Sequence, residues 1–305
     1  MTDPETVLVL NPVSGRANHA ARVRELAAEH GFSVRETERS GDAVGFARDA
    51  AEDGADRVVA CGGDGTLNEV VRGLWLADAL PEVEFGVVPG GTGNDFADNI
   101  GITSVELAFA AIASGERRTI DLGVVRADGG DPLPFLNSCI CGLTANASAN
   151  TAPEQKERLG VLAYVLSSLR EMATFDGLEL SVTPRGEGDP WHGPAAMVLV
   201  GNARRFPGER ATQANVEDGL LDVTIVERQP TVDLASGAAL VQLLGRDPEW
   251  VTRLVTPHLE IAVRDDDPVT FSLDGEMVTT HRLDVSVAEA RLCLPVGGAY
   301  DPNPV

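Results

Sequence analysis

The chain has 305 residues, a hydrophobic fraction of 43% that supplies a sizeable core, and 47 Asp plus Glu against 24 Lys plus Arg, for a formal net charge of −23. So acidic a chain repels nucleic acid and anionic membrane surfaces at low ionic strength, and no polybasic patch offsets it, so no nucleic-acid partner is expected. The start MTDPETVLVL has no basic leader, and the longest uncharged run, 132–153, is full of Pro, Asn, Ser and Thr, so neither a signal peptide nor a membrane span is expected and the reading is cytoplasmic.

In chain order, TVLVL at 6–10 predicts a strand and 18–30 a helix. FSVRET then predicts a strand with a helix over 42–52, RVVAC a strand with a helix over 66–79, and EFGVV a strand with helical stretches at 92–99 and 104–114. This alternation predicts a parallel sheet covered by helices. After TIDLGVV the runs become strand on strand: 177–184, 195–201, 220–226, 257–264, 268–273, 277–287 and 291–296. Helices are expected only at 154–174 and 231–245. The fold class is therefore an α/β domain with a parallel sheet over 1–120, followed by an antiparallel β-sandwich over 121–305. Cys61, Cys139, Cys141 and Cys293 fit no zinc spacing and read as buried thiols in a reducing compartment. Every basic residue except Lys156 is arginine, and the acidity suggests a salt-rich, halophilic cytoplasm, where a screening length of roughly 3 Å at 1 M damps self-repulsion.

Three strand-to-helix turns carry glycine: NPVSG at 11–15, GGDGT at 62–66 and PGGTGND at 89–95. In a parallel sheet all three lie at the carboxyl edge, where open α/β sheets bind ligands, and glycine turned onto a helix start suits phosphate. No Gly-Lys-Ser/Thr follows any of them, and no GxGxxG with a trailing acid is present, so neither a P-loop nor a dinucleotide fingerprint is indicated. Asp64, between Gly63 and Gly65, reads as holding the turn or as a Mg²⁺-linked acid, since a carboxylate beside phosphate is repelled unless a cation intervenes. Thr66-Leu67-Asn68-Glu69 reads as a capping box or as nucleotide contacts, and Asn68 and Asn94 as caps or contacts. The hydroxyls of Ser14 and Thr92 are candidate phosphate donors. TFSLDGEMV reads as two strands joined at an Asp274-Gly275 hairpin, with Glu276 a candidate proton acceptor. Glu217, Asp218 and Asp222 share one turn, either a plain turn into a strand or a cation site.

In sequence order NPVSG, GGDGTLNEV, PGGTGNDFA, FLNSCICGLTA, NVEDGLLDV and LDGE, spanning 11–276, resemble the diacylglycerol kinase catalytic-domain family, which includes sphingosine kinases and the bacterial YegS- and DgkB-type lipid kinases. The resemblance implies a nucleotide domain, a second β-sandwich, ATP and Mg²⁺ as cofactors, and phosphoryl transfer to a lipid hydroxyl. It also implies peripheral membrane contact and a homodimer. It places nucleotide contacts at Asn11, Pro12, Val13, Ser14 and Gly15, at Thr37, at Gly63, Asp64, Gly65, Thr66, Leu67, Asn68 and Glu69, and at Thr92. Asp218, with backbone oxygens near Asn215 and Leu220, is implied as a structural metal site. Glu276 is implied as the general base, with Asp64 and Asp274 completing the catalytic set. The family's usual Gly-Gly pair is replaced here by Pro207-Gly208, and Leu143 and Thr144 stand where an Asp is usual, so acceptor identity is the open question. The helix at 154–174 is open between lining a lipid channel and packing on the sandwich. NAD kinase, a kinase of a non-lipid alcohol and a non-catalytic nucleotide module are the rival readings.

Overall fold

The computed structural model describes residues 4–15, 18–80, 82–142, 177–186, 188–204, 213–228 and 249–304. The helices expected at 154–174 and 231–245 lie outside the described residues, as do Leu143, Thr144, Pro207 and Gly208. Two compact units form, one from the described residues of 1–122, 215–217 and 288–303, the other from those of 123–214 and 218–287 with Pro304.

The first unit is built on β1 (Thr6–Leu10), β2 (Ser33–Glu36), β3 (Arg57–Gly62) and β4 (Glu84–Pro89). They pair in parallel in the order β2-β1-β3-β4. Continuous apolar runs bury β1, β3 and β4 on both faces, as a parallel sheet under helices requires, whereas β2 is the exposed, charged edge. The covering helices are α1 (Ala20–Glu29), α2 (Asp42–Glu52), α3 (Asp64–Leu76), the short α4 (Asp95–Asn99) and α5 (Val105–Ser114). Ala43, Ala47 and Ala50 give α2 a flat buried stripe. Gly73 of α3 meets it so closely that an added Cβ would lie 2.4 Å from the Val44 carbonyl oxygen. Helix α3 starts at Asp64, two residues before the expected start, because Gly63 takes the extended N-cap conformation and leaves the carboxylate in the first turn, where the helix dipole favours it. Residues 288–303 complete this unit: the Gly297 amide donates to the Ile100 carbonyl, and the Arg291 guanidinium lies 5.9 Å over the Trp75 ring.

The second unit is antiparallel. Its strands are β6 (Leu133–Phe135), β7 (Ser138–Gly142), β8 (Leu178–Pro184), β9 (Trp191–Gly201), β10 (Leu221–Glu227), β11 (Val251–Thr256), β12 (His258–Val263), β13 (Val269–Leu273) and β14 (Glu276–Thr280). Strands β5 (Glu116–Ala127) and β15 (Arg282–Val296) begin in one unit and end in the other. The hydrogen-bonded order is β14-β13-β7-β9-β8-β12-β15-β5-β6, with β10 between β9 and β11. The first half of β9 pairs with β8 and its second half with β7 and β10, so the strand turns the sheet over on itself. Alternate residues of β7, β8, β9, β10, β12, β13 and β15 then meet in one core around Phe135 and Phe271, a sandwich-like layer. The run 277–287 divides at His281 into β14 and β15, and β15 runs on through 291–296 with Ala290 at φ 49 as its kink. Strands β6, β7 and β11 are additional to those expected; β6 ends at Phe135, where FLNSCICG begins, and β7 is the SCICG of that run, whose cysteines hide the apolar alternation.

Candidate nucleotide site and hairpin carboxylates

Chain order and spatial order diverge between β1 and β3, the switch point at which a crevice opens beyond the strand ends. Asn11 follows β1 there. Its amide continues the ladder to the Cys61 carbonyl at 2.9 Å, and its side chain donates to Thr66 Oγ1 at 3.2 Å and accepts from the Val13 amide at 3.2 Å. A cavity of about 410 Å³ lies on this edge, walled by Asn11, Val13, Ser14 and Gly15, by Thr37, by Gly63, Gly65, Thr66 and Glu69, and by Thr92. Gly15 has φ 56, and a Cβ on it would lie 2.7 Å from the Gly90 carbonyl oxygen, so the first and last loops touch backbone to backbone.

Four candidates stand off this wall. Pro12 lies in the first loop without lining the cavity, and Leu67 and Asn68 are buried within α3. Asp64 points across to α4, where its carboxylate accepts from the amides of Asp95 at 3.2 Å and Phe96 at 3.0 Å and so ties the loop after β4 to that after β3. Burial, and then the Asp64 charge, hold the neighbouring Asp98 carboxyl above its ordinary range. The capping box is not formed as expected. Gly63 is the N-cap of α3, and Thr66 lies inside that helix. Glu69 does perform the box's chemistry, but on α2: its carboxylate accepts from the Gly41 N-cap amide at 3.1 Å and from Ser40 Oγ at 3.3 Å.

Of a fourth contributor, the loop after β2, sequence reasoning named only Thr37. Glu38, Arg39 and Ser40 line the cavity beside Thr37, as does Gly91. No glycine marks this loop's start. Its signal is Asp42, whose carboxylate accepts from the amides of Glu38 at 2.9 Å and Arg39 at 3.0 Å. Those bonds, led by the Glu38 amide, lower the Asp42 carboxyl. Arg39 is the one cation among the described residues on the wall, and its guanidinium lies 3.2 Å from Asp42.

In the second unit, Asp274 (φ 48) and Gly275 (φ 99) form a two-residue hairpin between β13 and β14, with both dihedrals in the region a type I′ turn needs. The Asp274 carboxylate turns inward and accepts from the amides of Leu136 at 2.7 Å, Asn137 at 3.0 Å and Ser138 at 2.9 Å. Burial pushes its carboxyl up to about 6, against the pull of those three donors. Glu276 is the exposed first residue of β14. Asn215 and Asp218 make local turns, accepting from the amides of Glu217 and Leu220, each at 3.0 Å.

Known proteins can be set against this geometry. The diacylglycerol kinase catalytic domain family matches residues 5–125, and the YegS C-terminal NAD kinase beta sandwich-like domain matches 137–294. A protein of Stenotrophomonas maltophilia named "Probable lipid kinase YegS-like" is 34% identical over 280 residues, covering 87% of each chain. The chain belongs to the YegS-like lipid kinase family. A second relative of the same name, from Pectobacterium atrosepticum, is 30% identical over 298 residues and covers 95% of each chain. The crystal structure of a diacylglycerol kinase from Bacillus anthracis str. Sterne aligns over 99% of this chain and 100% of its own, with a TM-score of 0.70 at 18% identity. Another solved structure from that organism reaches 0.76 at 22%, over 98% of each chain. At such identities the structures speak for the fold. Membership makes this YegS-like chain a kinase, and its two matched segments coincide with the parallel-sheet and antiparallel architectures.

Proposed function

We propose that this kinase transfers the γ-phosphoryl group of ATP, with Mg²⁺, to the hydroxyl of a diacylglycerol-like or related lipid alcohol. The observation that carries the reading is the gathering of loops from β1, β2, β3 and β4 around one cavity at the switch point, with glycine backbone on its wall. The triphosphate would be held by the amides of Gly15, of Gly63 to Gly65 and of Thr92, with hydroxyls from Thr37 and Thr66, while Val13 and Ser14, whose amides turn back on Asn11, would shape the wall beside it. Mg²⁺ would neutralise the phosphate charge, and Asp64, whose carboxylate is turned to the amides of Asp95 and Phe96, would serve it by tying the loops after β3 and β4 together. Glu276 would accept the lipid hydroxyl's proton as the new O–P bond forms, and Asp274, by fixing the hairpin, would present it. Peripheral contact with the membrane follows from such an acceptor; among the described residues no helix is long and apolar enough to cross one. We place the enzyme in the cytoplasm, acting as a homodimer in keeping with the family resemblance.

A structural Mg²⁺ at Asp218 would rest on a single carboxylate and backbone oxygens of Asn215 and Leu220, since no group of three or more His, Cys, Asp or Glu able to hold a metal occurs among the described residues. Chelation is expected to lower the melting temperature of the wild type and to be reversed by Mg²⁺, whereas Asp218→Ala is expected to be insensitive to chelator. Equal responses would remove the site. The function itself is tested with purified protein, labelled ATP and a panel of lipid extracts, sugars and NAD. Label in a lipid product is expected, and label in NAD with none in lipid would overturn the reading.

A further inference from the structure

His19, the residue before α1, belongs to none of the motifs that pointed to the site. Its side chain is nevertheless buried, 7% exposed, directly beneath two of the glycine loops. Nε2 lies 3.1 Å from the Asn11 carbonyl oxygen and 3.4 Å from Ser14 Oγ. Ser14 Oγ in turn lies 2.9 Å from the Gly90 carbonyl oxygen and 3.1 Å from that of Asn11. The ring fills the space a side chain on Gly90 would need, since a Cβ there would come within 2.8 Å of Nε2.

Counting protons assigns the roles. The Ser14 hydroxyl has one hydrogen and two carbonyl oxygens within reach. With Nε2–H donating to Asn11, the hydroxyl is released to donate to Gly90, and both carbonyls are satisfied. With Nε2 bare, its lone pair would face the Asn11 carbonyl oxygen at 3.1 Å, and the one Ser14 hydrogen would have to serve three acceptors. The network therefore selects the Nε2–H tautomer. It also commits the Ser14 proton to the protein, so this loop offers the cavity no hydroxyl hydrogen from Ser14.

We propose that His19 is a positioning residue of the kinase. It locks the loop after β1 to the loop after β4 and so fixes the spacing of the two walls between which the triphosphate is received. The inference rests on the nucleotide reading of the cavity. Through Asn11, whose side chain donates to Thr66 Oγ1, the same lock reaches the start of α3. A preformed cradle acts on nucleotide binding and leaves the transfer step alone, because neither the ring nor the Ser14 proton faces the cavity as a donor.

The experiment uses the full chain with His19→Leu, His19→Gln and Ser14→Ala, read as KM for ATP, kcat at saturating ATP, calorimetric affinity for a non-hydrolysable ATP analogue, and melting temperature. His19→Leu is expected to raise KM and the dissociation constant about tenfold with kcat within about threefold, the scale of one lost buried hydrogen bond. His19→Gln, which can return an N–H to Asn11, is expected to recover most of the affinity, and Ser14→Ala to cost a few-fold in KM. Wild-type KM in His19→Leu and Ser14→Ala, or a Gln variant no better than Leu, overturns the proposal. If His19→Leu does not fold, Ser14→Ala decides alone, and wild-type affinity there overturns it. Absence of analogue binding by the wild type sinks the cavity reading itself, whereas intact wild-type binding with unmoved variants sinks only the role of His19.

Discussion

At the scale of single residues, carboxylates in this chain act first on backbone amides. Asp64, Glu69, Asp42 and Asp274 each accept from amides of a neighbouring loop or helix start. Glu69 is the clearest case, because the side chain that lines the cavity also caps α2. Glu69→Ala is expected to destabilise by about 1 kcal/mol, the usual loss of a cap, and to raise KM for ATP by loosening Ser40 and Gly41. A KM change without loss of stability would mean the cap is not its role. Burial shifts the Asp274 carboxyl upward from its ordinary value. Its folded-state carboxyl lies at about 6, above the unfolded value, so the folded state holds the proton more tightly. The stability this contributes is present at pH 4 and is lost as pH rises through 6. Denaturation midpoints at pH 4, 5, 6 and 7 are expected to fall by a step in the wild type that Asp274→Asn lacks; parallel profiles would refute it. These contacts explain what was legible and what was not. The identity of Asp64, Glu69 and Asp274 as key residues stands in the sequence beside glycines and turns. Which amide each would serve does not, because the partners lie 28 to 138 positions away.

At the scale of elements, the site depends on helices held rigidly behind the loops. The contact of α2 with α3 is made by alanines on one side and Gly73 on the other. Gly73→Val would drive methyl groups into the Val44 carbonyl and is expected to cost about 1–3 kcal/mol in thermal or urea unfolding. A neutral effect would show that the helices can separate. On the far side of the unit, Arg117 gathers the C-terminal carbonyls of α5, donating to Gly115 at 2.6 Å and Ile112 at 2.7 Å while pairing with Glu84 at 3.0 Å. Parallel strands and helices were readable because their apolar periods are long and unbroken, as in RVVACG. Strands β6 and β11 were not: β6 is three residues around Pro134, and β11, VTRLVT, interrupts its apolar residues with Thr and Arg. Beyond Thr37 the loop after β2 escaped because its shape comes from Asp42, a residue that also opens a helix.

At the scale of the whole molecule, the net charge of −23 sets the conditions under which the fold is comfortable. Many arginines are already engaged at the surface, as in Arg24 with Glu36 and Arg22 with Glu25, and excess carboxylates remain to repel one another. Melting temperature is expected to rise steadily with KCl from dilute buffer to about 1 M, where the screening length falls to roughly 3 Å. A flat profile would remove the high-salt reading. Composition announced this property, and the motifs announced the family. The wiring of the chain was announced by neither: strands β5 and β15 serve both units, and residues 288–303 return to the first one, where Arg291 covers Trp75 and Gly297 bonds to Ile100. The parallel-sheet unit is therefore no transferable cassette. A fragment cut after β4 or α5 would leave behind residues 288–303, which bond to Ile100 and cover Trp75, so the first unit closes only once that distant stretch has been made.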